Sequence, residues 1–222
     1  MYLVQDWGIT NYIEAYKKQI LQVRLRIDNL SQDTLIFTEH LPVFTIGASK
    51  NASSHIIWSQ KTCRIRGIQI TNTNRGGSVT YHAPGQIIIY PIFSLNNSRN
   101  LNKYLRSLEQ VIINTLQHIG LEGLRCPGKT GVWIQSRKIA SIGIAIKNWV
   151  TYHGFALNFD LDLNPFNGII PCGITANKGT ITSIAKELSW LPNKDKIKKI
   201  LEIEFYNIIK NNYNGTSITK KT

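Results

Sequence analysis

One cysteine of the chain has the sequence context of a reactive thiol. Cys172 follows Pro171 and precedes Gly173, at the end of a short apolar run. The glycine allows another group to approach closely. The thiolate is the nucleophilic form of cysteine, and it needs a nearby cation, a helix N-terminus or exposed backbone amides. Cys172 is therefore a candidate nucleophile, and a buried cysteine that packs as a small apolar side chain is the alternative.

A lysine lies within an apolar, strand-like run upstream of that cysteine. Lys138 follows Arg137 and precedes Ile139 and Ala140. Successive side chains of a strand point to opposite faces, so Arg137 and Lys138 are expected on different faces. Desolvation among apolar neighbours would lower the pKa of Lys138 and suit it to proton transfer, and its ammonium would stabilise a nearby thiolate. The alternative is a strand lysine whose side chain reaches water.

A diglycine loop and two histidines complete the set of candidate residues. Gly76 and Gly77 follow Arg75. Two glycines permit positive φ angles and bring backbone amides close to a ligand, although a plain hairpin loop has the same composition. His82 and His153 each follow a tyrosine at the end of a β-rich run, so each is a candidate acid, base or orienting group.

The bulk composition predicts a soluble protein with one core. The chain has 222 residues, of which 42% are hydrophobic and 18% charged. Its longest apolar run, 87–93, is far shorter than the ~20 residues that cross a bilayer, and its N-terminus lacks the pattern of a secretory signal. The three cysteines show no CxxC spacing and the histidines no metal-binding spacing. We therefore expect reduced thiols, no metal site and a cytoplasmic location.

The net charge of +13 favours acidic partners through long-range attraction. Part of this charge is also consistent with a composition rich in Ile, Asn and Lys that carries no function. Nucleic acid binding would favour a stripe rich in Arg or interleaved with aromatic residues, whereas the densest basic segment, 194–199, has the pattern of a solvated helix face. We expect an acidic protein partner, and neither nucleic acid nor a membrane.

The hydrophobic periodicity predicts the elements that must position these residues. Steps of three and four predict helices over 10–30, 100–119, 181–188 and 194–211. β-rich runs predict strands over 34–37, 42–46, 68–71, 78–81, 86–92, 131–134, 138–146 and 151–158. Residues 48–62 have the composition of a polar loop. We predict one α/β (α+β) domain over 1–222, with a mixed β-sheet flanked by helices and a frayed polar tail at 213–222.

Taken together, the motifs resemble those of a known family. The chain resembles the octanoyltransferases of lipoate biosynthesis, also called lipoyl(octanoyl) transferases, of the biotin and lipoate protein ligase superfamily. The resemblance is carried by segments 39–47, 75–86, 131–134, 137–143, 149–158, 171–174 and 182–183. Ala83 stands where the family usually has glycine, and Leu41 where it usually has proline. Beyond Ser189 the resemblance is poor.

This resemblance implies a role for each candidate residue. The family's catalytic cysteine falls on Cys172 and its catalytic lysine on Lys138. Its acyl-substrate pocket falls on Arg75, Gly76, Gly77, Ser78, Val79, Thr80, Tyr81, His82, Ser141, Ile142, Gly143, Gly154, Phe155 and Ala156. Thr151 and His153 are auxiliary candidates. The resemblance implies a biotin/lipoate protein ligase-like fold, and neither a metal nor a cofactor.

The resemblance also implies a reaction and its partners. An octanoyl group would pass from octanoyl-acyl carrier protein, through a cysteine thioester acyl-enzyme, to a lysine amine of apo lipoyl domains. The acceptors would be the 2-oxoacid dehydrogenase E2 subunits and the glycine cleavage H protein. Backbone amides near Cys172 and in the Gly76–Gly77 loop would stabilise the tetrahedral oxyanion.

Two other functions remain open at this point. An ATP-dependent lipoate or biotin protein ligase works through an acyl-adenylate and needs no cysteine nucleophile. A non-catalytic carrier-binding protein on the same scaffold needs neither residue. The presence of both Cys172 and Lys138 favours the acyltransferase over these alternatives.

Overall fold

The computed structural model describes residues 2–171 and 180–213 of the chain. The strands are β1 Leu3–Thr10, β2 Thr34–His40, β3 Val43–Ile46, β4 Gln69–Asn72, β5 Val79–His82, β6 Gln86–Ile92, β7 Leu124–Cys126, β8 Lys129–Ile134, β9 Arg137–Lys147, β10 Val150–Asn158 and β11 Thr180–Ile181. The helices are α1 Tyr12–Ile27, α2 Gln60–Ile65, α3 Leu101–Gln117, α4 Ile184–Glu187 and α5 Lys194–Tyr213, and short 3₁₀ turns span Ala52–His55 and Asn164–Gly168.

Two sheets are formed by the described residues. The larger sheet has the order β1-β2-β6-β10-β9-β8-β7, and β11 pairs with β9 outside this path. Strands β1 and β2 are parallel, as are β11 and β9, whereas the other neighbours are antiparallel. The smaller sheet has the order β4-β3-β5 and mixes a parallel with an antiparallel pair. The predicted mixed α/β architecture is therefore present, with a second sheet in addition.

The two faces of the larger sheet are covered by different elements. Helices α3 and α5 pack on one face, where their apolar side chains meet those of the strands. This core includes Leu35, Ile87, Val132, Ile142, Phe155, Leu108, Ile112, Leu201 and Phe205. Helix α1 covers part of the opposite face through Val23, Tyr16 and Ile20, against Ile88 and Tyr90. The rest of that opposite face lies beneath β5 and the loop before it, and the candidate site is located there.

A bulge in β9 determines the face on which Lys138 lies. Val132 of β8 pairs with Ala140, whereas the next residue, Trp133, pairs with Lys138, so Ile139 is an extra residue in β9. Ile139 and Ala140 consequently both contribute to the core beneath α3 and α5. Lys138 therefore shares a face with Ser141, three residues away, although simple alternation would separate them.

Four elements differ from those that the periodicity predicts. The structure adds the short strand β7 and also β1, whose parallel pairing with β2 could not be inferred from local pattern. It also adds α2, which begins inside the supposed loop 48–62 and continues to Ile65. The helix predicted over 181–188 is wrong at its start, because Thr180 and Ile181 form β11 alongside β9. Helix α4 begins only after Ser183, whose hydroxyl caps it by accepting a hydrogen bond from the Lys186 amide. Beyond Tyr213, the tail predicted at 213–222 lies outside the described residues.

Candidate active site

The side chain of Lys138 is buried, with 2% of its surface exposed. Its ammonium nitrogen lies 4.9 Å from the centre of the Trp133 ring, which provides a favourable cation–π contact. Gly131 lies next to it on the same face, and a methyl group there would come within 3.3 Å of the same nitrogen. Arg137 lies on the other face, as predicted, and forms a two-pronged ion pair with Glu187 at 2.7 and 2.8 Å. Arg137 therefore ties β9 to α4, whereas the Lys138 ammonium lies on the opposite face of the strand.

A cavity lies over the sheet on the same face as Lys138. Its lining residues are Tyr12, Arg75, Thr80, His82, Ile88, Tyr90, Ser141, Ile142, Gly143, His153, Gly154, Phe155 and Ala156. The register pairs Ser141 with Ala156 and Gly143 with Gly154. These four small residues lie side by side on two adjacent strands, so they leave a shallow groove in the sheet surface. The groove is a suitable floor for an extended apolar chain.

The loop before β5 forms the roof of this groove. The Gly76 amide donates a hydrogen bond to the Ile144 carbonyl at 2.9 Å, which fastens the loop to β9. The Arg75 guanidinium donates to the carbonyl and hydroxyl oxygens of Thr45 at 2.6 and 2.8 Å. A side chain at Gly143 would collide with the Gly76 carbonyl oxygen, at 2.7 Å from its Cβ. The Gly76 amide is therefore occupied by the fold and not available to an oxyanion.

Only part of the predicted pocket segment 75–82 lines the cavity. Arg75, Thr80 and His82 do so, whereas Val79 and Tyr81 point to the other side of β5 and pack in the core of the small sheet. Gly76, Gly77 and Ser78 shape the loop, and the Ser78 hydroxyl is hydrogen-bonded to His55. On β9 and β10 the residues from Ser141 to Gly143 and from Gly154 to Ala156 border the cavity, but the side chains of Ile142 and Phe155 pack in the core on the opposite face of the sheet. The prediction took contiguous segments, whereas the alternation of side chains along a strand turns only every second residue toward the cavity.

His153 reaches the cavity because of an unusual backbone conformation. Its φ angle is 55°, in the left-handed region. Its ring consequently lies on the same face as that of its neighbour Tyr152, with 5.0 Å between the ring centres, and stacks on Tyr16 of α1. The backbone amide of His153 donates to Gln19 at 2.8 Å. Such strain persists where surrounding contacts hold it, and it is concentrated at functional sites.

Burial holds three histidines near the cavity in the neutral form. Burial lowers the pKa of His40 to about 4. Burial, with the nearby charge of Arg75, lowers the pKa of His153 to about 3. The pKa of His82 lies well below its usual value, because of burial and then the proximity of His40. At neutral pH each ring therefore has one N–H donor and one acceptor nitrogen.

The hydrogen bonds define which nitrogen carries each proton. Asn74 donates its amide N–H to the Tyr152 hydroxyl, so its oxygen accepts from His153 Nε2 at 2.8 Å. His153 Nδ1 is then the acceptor that faces the Tyr12 hydroxyl at 3.5 Å. His40 Nδ1 faces the Thr10 carbonyl and must donate to it, so its Nε2 accepts from the Tyr90 hydroxyl. Tyr12, His40 and Tyr90 were not among the predicted site residues. Their burial depends on α1, β2 and β6, which are distant in sequence.

A chain of polar side chains links His82 to the backbone of Lys138. Gln86 donates its amide N–H to Asn158 at 2.8 Å, so its oxygen accepts from His82 Nδ1 at 2.7 Å. Asn158 in turn donates to the Thr182 carbonyl at 2.8 Å. The Thr182 amide donates to the Lys138 carbonyl at 3.0 Å. Buried hydrogen bonds therefore connect His82, which lines the cavity, to the backbone of Lys138.

The predicted nucleophile Cys172 lies outside the described residues. The described chain ends at Pro171 and resumes at Thr180, which pairs directly with Arg137, next to Lys138. Cys63 is buried in the small-sheet core, where burial raises the pKa of its thiol, and Cys126 lies on β7. Neither of these cysteines lines the cavity.

The auxiliary candidate Thr151 does not line the cavity either. Its hydroxyl is fully buried, donates to the Pro91 carbonyl at 2.8 Å and accepts from the Phe93 amide at 3.1 Å. These bonds hold β10 to the end of β6. The hydroxyl therefore has a structural position, whereas His153, two residues on, reaches the cavity.

Residues Gly123 to Thr130 match the GxxxxGK[ST] pattern of a phosphate-binding loop, although no such match was expected anywhere in the chain. The structure places this match in a hairpin, because β7 and β8 pair antiparallel across it and Cys126 faces Lys129. A phosphate-binding loop must instead lead from a strand into a helix whose N-terminal amides face the phosphates. The pattern match is therefore fortuitous.

The described residues contain neither a metal-binding cluster nor a membrane-spanning helix. No group of three His, Cys, Asp or Glu side chains in residues 2–171 and 180–213 converges as a metal site requires. Over the same ranges, no helix combines the length and the apolar composition needed to cross a membrane.

Comparison with known proteins identifies the family. The model of the lipoyl protein ligase A/B catalytic domain matches residues 12–206. The chain belongs to this family. The match starts at α1, upstream of the motifs that carry the sequence resemblance, and continues through most of α5, so the poor resemblance expected beyond Ser189 does not mark the family's boundary.

Relatives within the lipoyl protein ligase A/B family are octanoyltransferases. The octanoyltransferase of Syntrophotalea carbinolica is 39% identical over 208 residues, which cover 93% of this chain and 94% of that protein. That of Gloeobacter violaceus is 42% identical over 189 residues, with 84% and 82% covered. The predicted resemblance to octanoyltransferases is confirmed, and the chain is an acyltransferase.

Solved structures confirm the biotin/lipoate ligase-like fold. A bipartite lipoate protein ligase from Thermoplasma acidophilum, solved in a study of an archaeal lipoylation system with its E2 lipoyl domain, matches with a TM-score of 0.72 and 16% identity, over 93% of this chain and 83% of that one. Biotin protein ligase from Aquifex aeolicus matches with a TM-score of 0.54 and 11% identity, over 97% and 72%. At these identities the likeness concerns the fold.

Proposed function

We propose that this acyltransferase moves an octanoyl group from octanoyl-acyl carrier protein to a lysine of apo lipoyl domains, through a thioester on Cys172. The observation that carries the proposal is the buried ammonium of Lys138, on the same face as a groove floored by small residues. Relatives named octanoyltransferases support octanoyl as the acyl group that is transferred. The lipoyl domain named with the Thermoplasma ligase supports the class of acceptor.

The first half-reaction exchanges one thioester for another. The Cys172 thiolate attacks the acyl carbonyl, the new carbon–sulfur bond forms, and the carrier's thiolate leaves. Lys138, as the ammonium, stabilises the Cys172 thiolate before attack and gives its proton to the departing thiolate. This exchange is close to thermoneutral and needs no ATP.

The second half-reaction forms the amide. The acceptor lysine amine attacks the acyl-enzyme carbonyl, Cys172 leaves as the thiolate, and the now neutral Lys138 takes the proton that the amine loses. Lys138 is then again an ammonium beside a thiolate, so the site returns to its starting state. The 2-oxoacid dehydrogenase E2 subunits and the glycine cleavage H protein are the proposed acceptors, and the net charge of +13 would speed encounter with acidic partners at low salt.

Mass spectrometry of the intact chain tests the nucleophile. Incubation with octanoyl-acyl carrier protein should add one octanoyl group to the wild type and to Cys126→Ala, and none to Cys172→Ala. An adduct that persists in Cys172→Ala would refute the assignment. Lys138→Ala should slow the addition by ~10²-fold or more, and a wild-type rate would refute the proton-transfer role.

A comparison of two donors separates the transferase from a ligase. The wild type is given either octanoyl-acyl carrier protein, or free octanoate with ATP, together with an apo lipoyl domain. The proposal requires product from the carrier-bound donor. Product from free octanoate and ATP alone would identify an acyl-adenylate ligase instead.

A further inference from the structure

We propose that the Tyr12 ring is the end wall of the acyl groove and sets the length of the chain that the enzyme transfers. This inference deepens the proposed function and rests on it. It assigns a specificity-determining role to a residue that has no place in the acyl-transfer chemistry.

The strand register gives the groove a direction. Lys138 lies at one end, and the lining of the groove on β9 begins at Ser141, about 7 Å further along the sheet, because the Ile139 bulge leaves two steps of ~3.3 Å on the partner strand. It continues to Gly143, opposite Gly154, and ends where His153 pairs with Ile144. An acyl chain with its carbonyl near Lys138 therefore points its terminal methyl group toward His153.

Tyr12 closes the groove at the His153 end. Its side chain is 3% exposed and its hydroxyl faces His153 Nδ1 at 3.5 Å. The ring stacks parallel to His82, with 6.1 Å between ring centres, and meets His40 edge-on at 5.1 Å. These contacts on three sides fix the ring in one position. A wall held in this way can measure length, because core packing resists displacement.

A second cavity begins on the other side of the same ring. It is lined by Tyr12, Ile13, Tyr16, Thr71, Asn72, Thr73 and Asn74. Tyr12 lines both cavities, and the hydrogen-bonded pair of His153 and Asn74 forms the adjoining part of the partition. The two cavities enclose about 410 and 470 Å³ of empty space, counting the space open to solvent. The partition between them is therefore one aromatic ring beside one polar pair.

Loss of the ring would join the two cavities. A chain longer than octanoyl would then extend past His153 into the space beside Ile13 and Tyr16, where the wild type blocks it. An octanoyl chain gains nothing from that space because its methyl group ends before the partition. The expected change is therefore in the ratio of rates for long and short chains.

The experiment measures acylation of the enzyme by carrier proteins loaded with acyl chains of 8, 10 and 12 carbons. Single-turnover rates are followed by intact mass for the wild type, Tyr12→Phe, Tyr12→Leu and Tyr12→Ala. The wild type should prefer the octanoyl donor, and Tyr12→Phe should keep this preference because the ring remains. Tyr12→Ala should raise the ratio of dodecanoyl to octanoyl rate at least ~10-fold, with Tyr12→Leu between.

Ile13→Ala is the matched control, because Ile13 borders the second cavity only. It should leave the ratio at the wild-type value. Thermal melting of each variant checks folding, and Tyr12→Leu carries the test if Tyr12→Ala fails to fold. An unchanged ratio of dodecanoyl to octanoyl rates in folded Tyr12→Leu or Tyr12→Ala would refute the role of Tyr12 in limiting chain length. An equal rise of this ratio in Ile13→Ala would refute it as well. Absence of any octanoyl adduct on the wild type would instead overturn the proposed function.

Discussion

Gly131 leaves the space in which the Lys138 ammonium lies against the Trp133 ring. A Cβ atom at Gly131 would approach Lys138 Cε to 2.7 Å and the Ala140 carbonyl oxygen to 2.5 Å. Its φ angle is +130°, which side chains rarely adopt. The glycine is therefore required both by the backbone and by the lysine beside it.

Replacement of Gly131 by alanine should displace Lys138 and reduce acyl transfer at least ~10-fold, because small displacements of a reacting group have large effects on rate. The measurement is the octanoyl addition rate, with the urea midpoint measured in parallel. Gly128→Ala is the control. It lies in the same hairpin with φ +72°, and nothing lies within 4 Å of its Cβ position.

Gly128→Ala should lower the free energy of unfolding by ~1 kcal/mol through backbone strain and leave the rate of acyl transfer unchanged. Equal rate losses in the two variants would mean that strain in the hairpin, and not contact with Lys138, controls activity.

Glu109, on α3, holds the backbone of Gly131 in place. Its carboxylate is fully buried, accepts a hydrogen bond from the Gly131 amide at 3.2 Å, and pairs with Arg106 and Arg125 at 2.6 and 3.0 Å. Glu109→Ala leaves the buried Gly131 amide without its acceptor and removes the carboxylate that pairs with both guanidinium groups, so the free energy of unfolding should fall by ~3 kcal/mol. Urea denaturation checks this. A loss below ~0.5 kcal/mol, as expected of a surface ion pair, would contradict it.

Asn158 is the central link between His82 and Lys138. Asn158→Ala removes the acceptor of the Gln86 amide and the donor to the Thr182 carbonyl, both buried. The free energy of unfolding should fall by ~1–3 kcal/mol, and the rate of acylation should fall as β11 loosens beside Lys138. The control Asn96→Ala removes an exposed hydrogen bond to Arg99 and should cost less than ~0.5 kcal/mol.

The sequence predicts most of the central strands because their patterns are local. β6 and β10 were predicted within one residue of their observed bounds. Lys138 was expected to be desolvated by its apolar neighbours, and its side chain is buried. These inferences succeed because each depends on residues a few positions apart.

Features that depend on distant contacts could not be predicted in this way. The Ile139 bulge, which turns Lys138 to the groove, follows from pairing with β8 and has no local signal. The left-handed backbone of His153 depends on Gln19 and Tyr16 from α1. Tyr12 is a single aromatic residue at the start of a helix, and only the assembled fold shows that it borders two cavities.

The buried neutral histidines predict an unusual loss of stability at mildly acid pH. The pKa of His40 is about 4 in the folded protein and about 6.5 when unfolded. Between these values the unfolded chain binds a proton that the folded chain does not, so the free energy of unfolding falls as the pH falls below 6.5. The full slope is ~1.4 kcal/mol per pH unit for each such histidine, and His153 acts in the same direction.

Urea denaturation at pH 7.5, 6.5 and 5.5 measures this slope. His40→Gln should flatten it, since the variant has one fewer buried imidazole to protonate, although its stability at pH 7.5 should be lower because the contact with Tyr90 is altered. The control Asn96→Ala changes a residue that has no titratable group and makes an exposed hydrogen bond to Arg99, so it should keep the wild-type slope. A slope that is the same in wild type and His40→Gln would show that His40 does not titrate with folding.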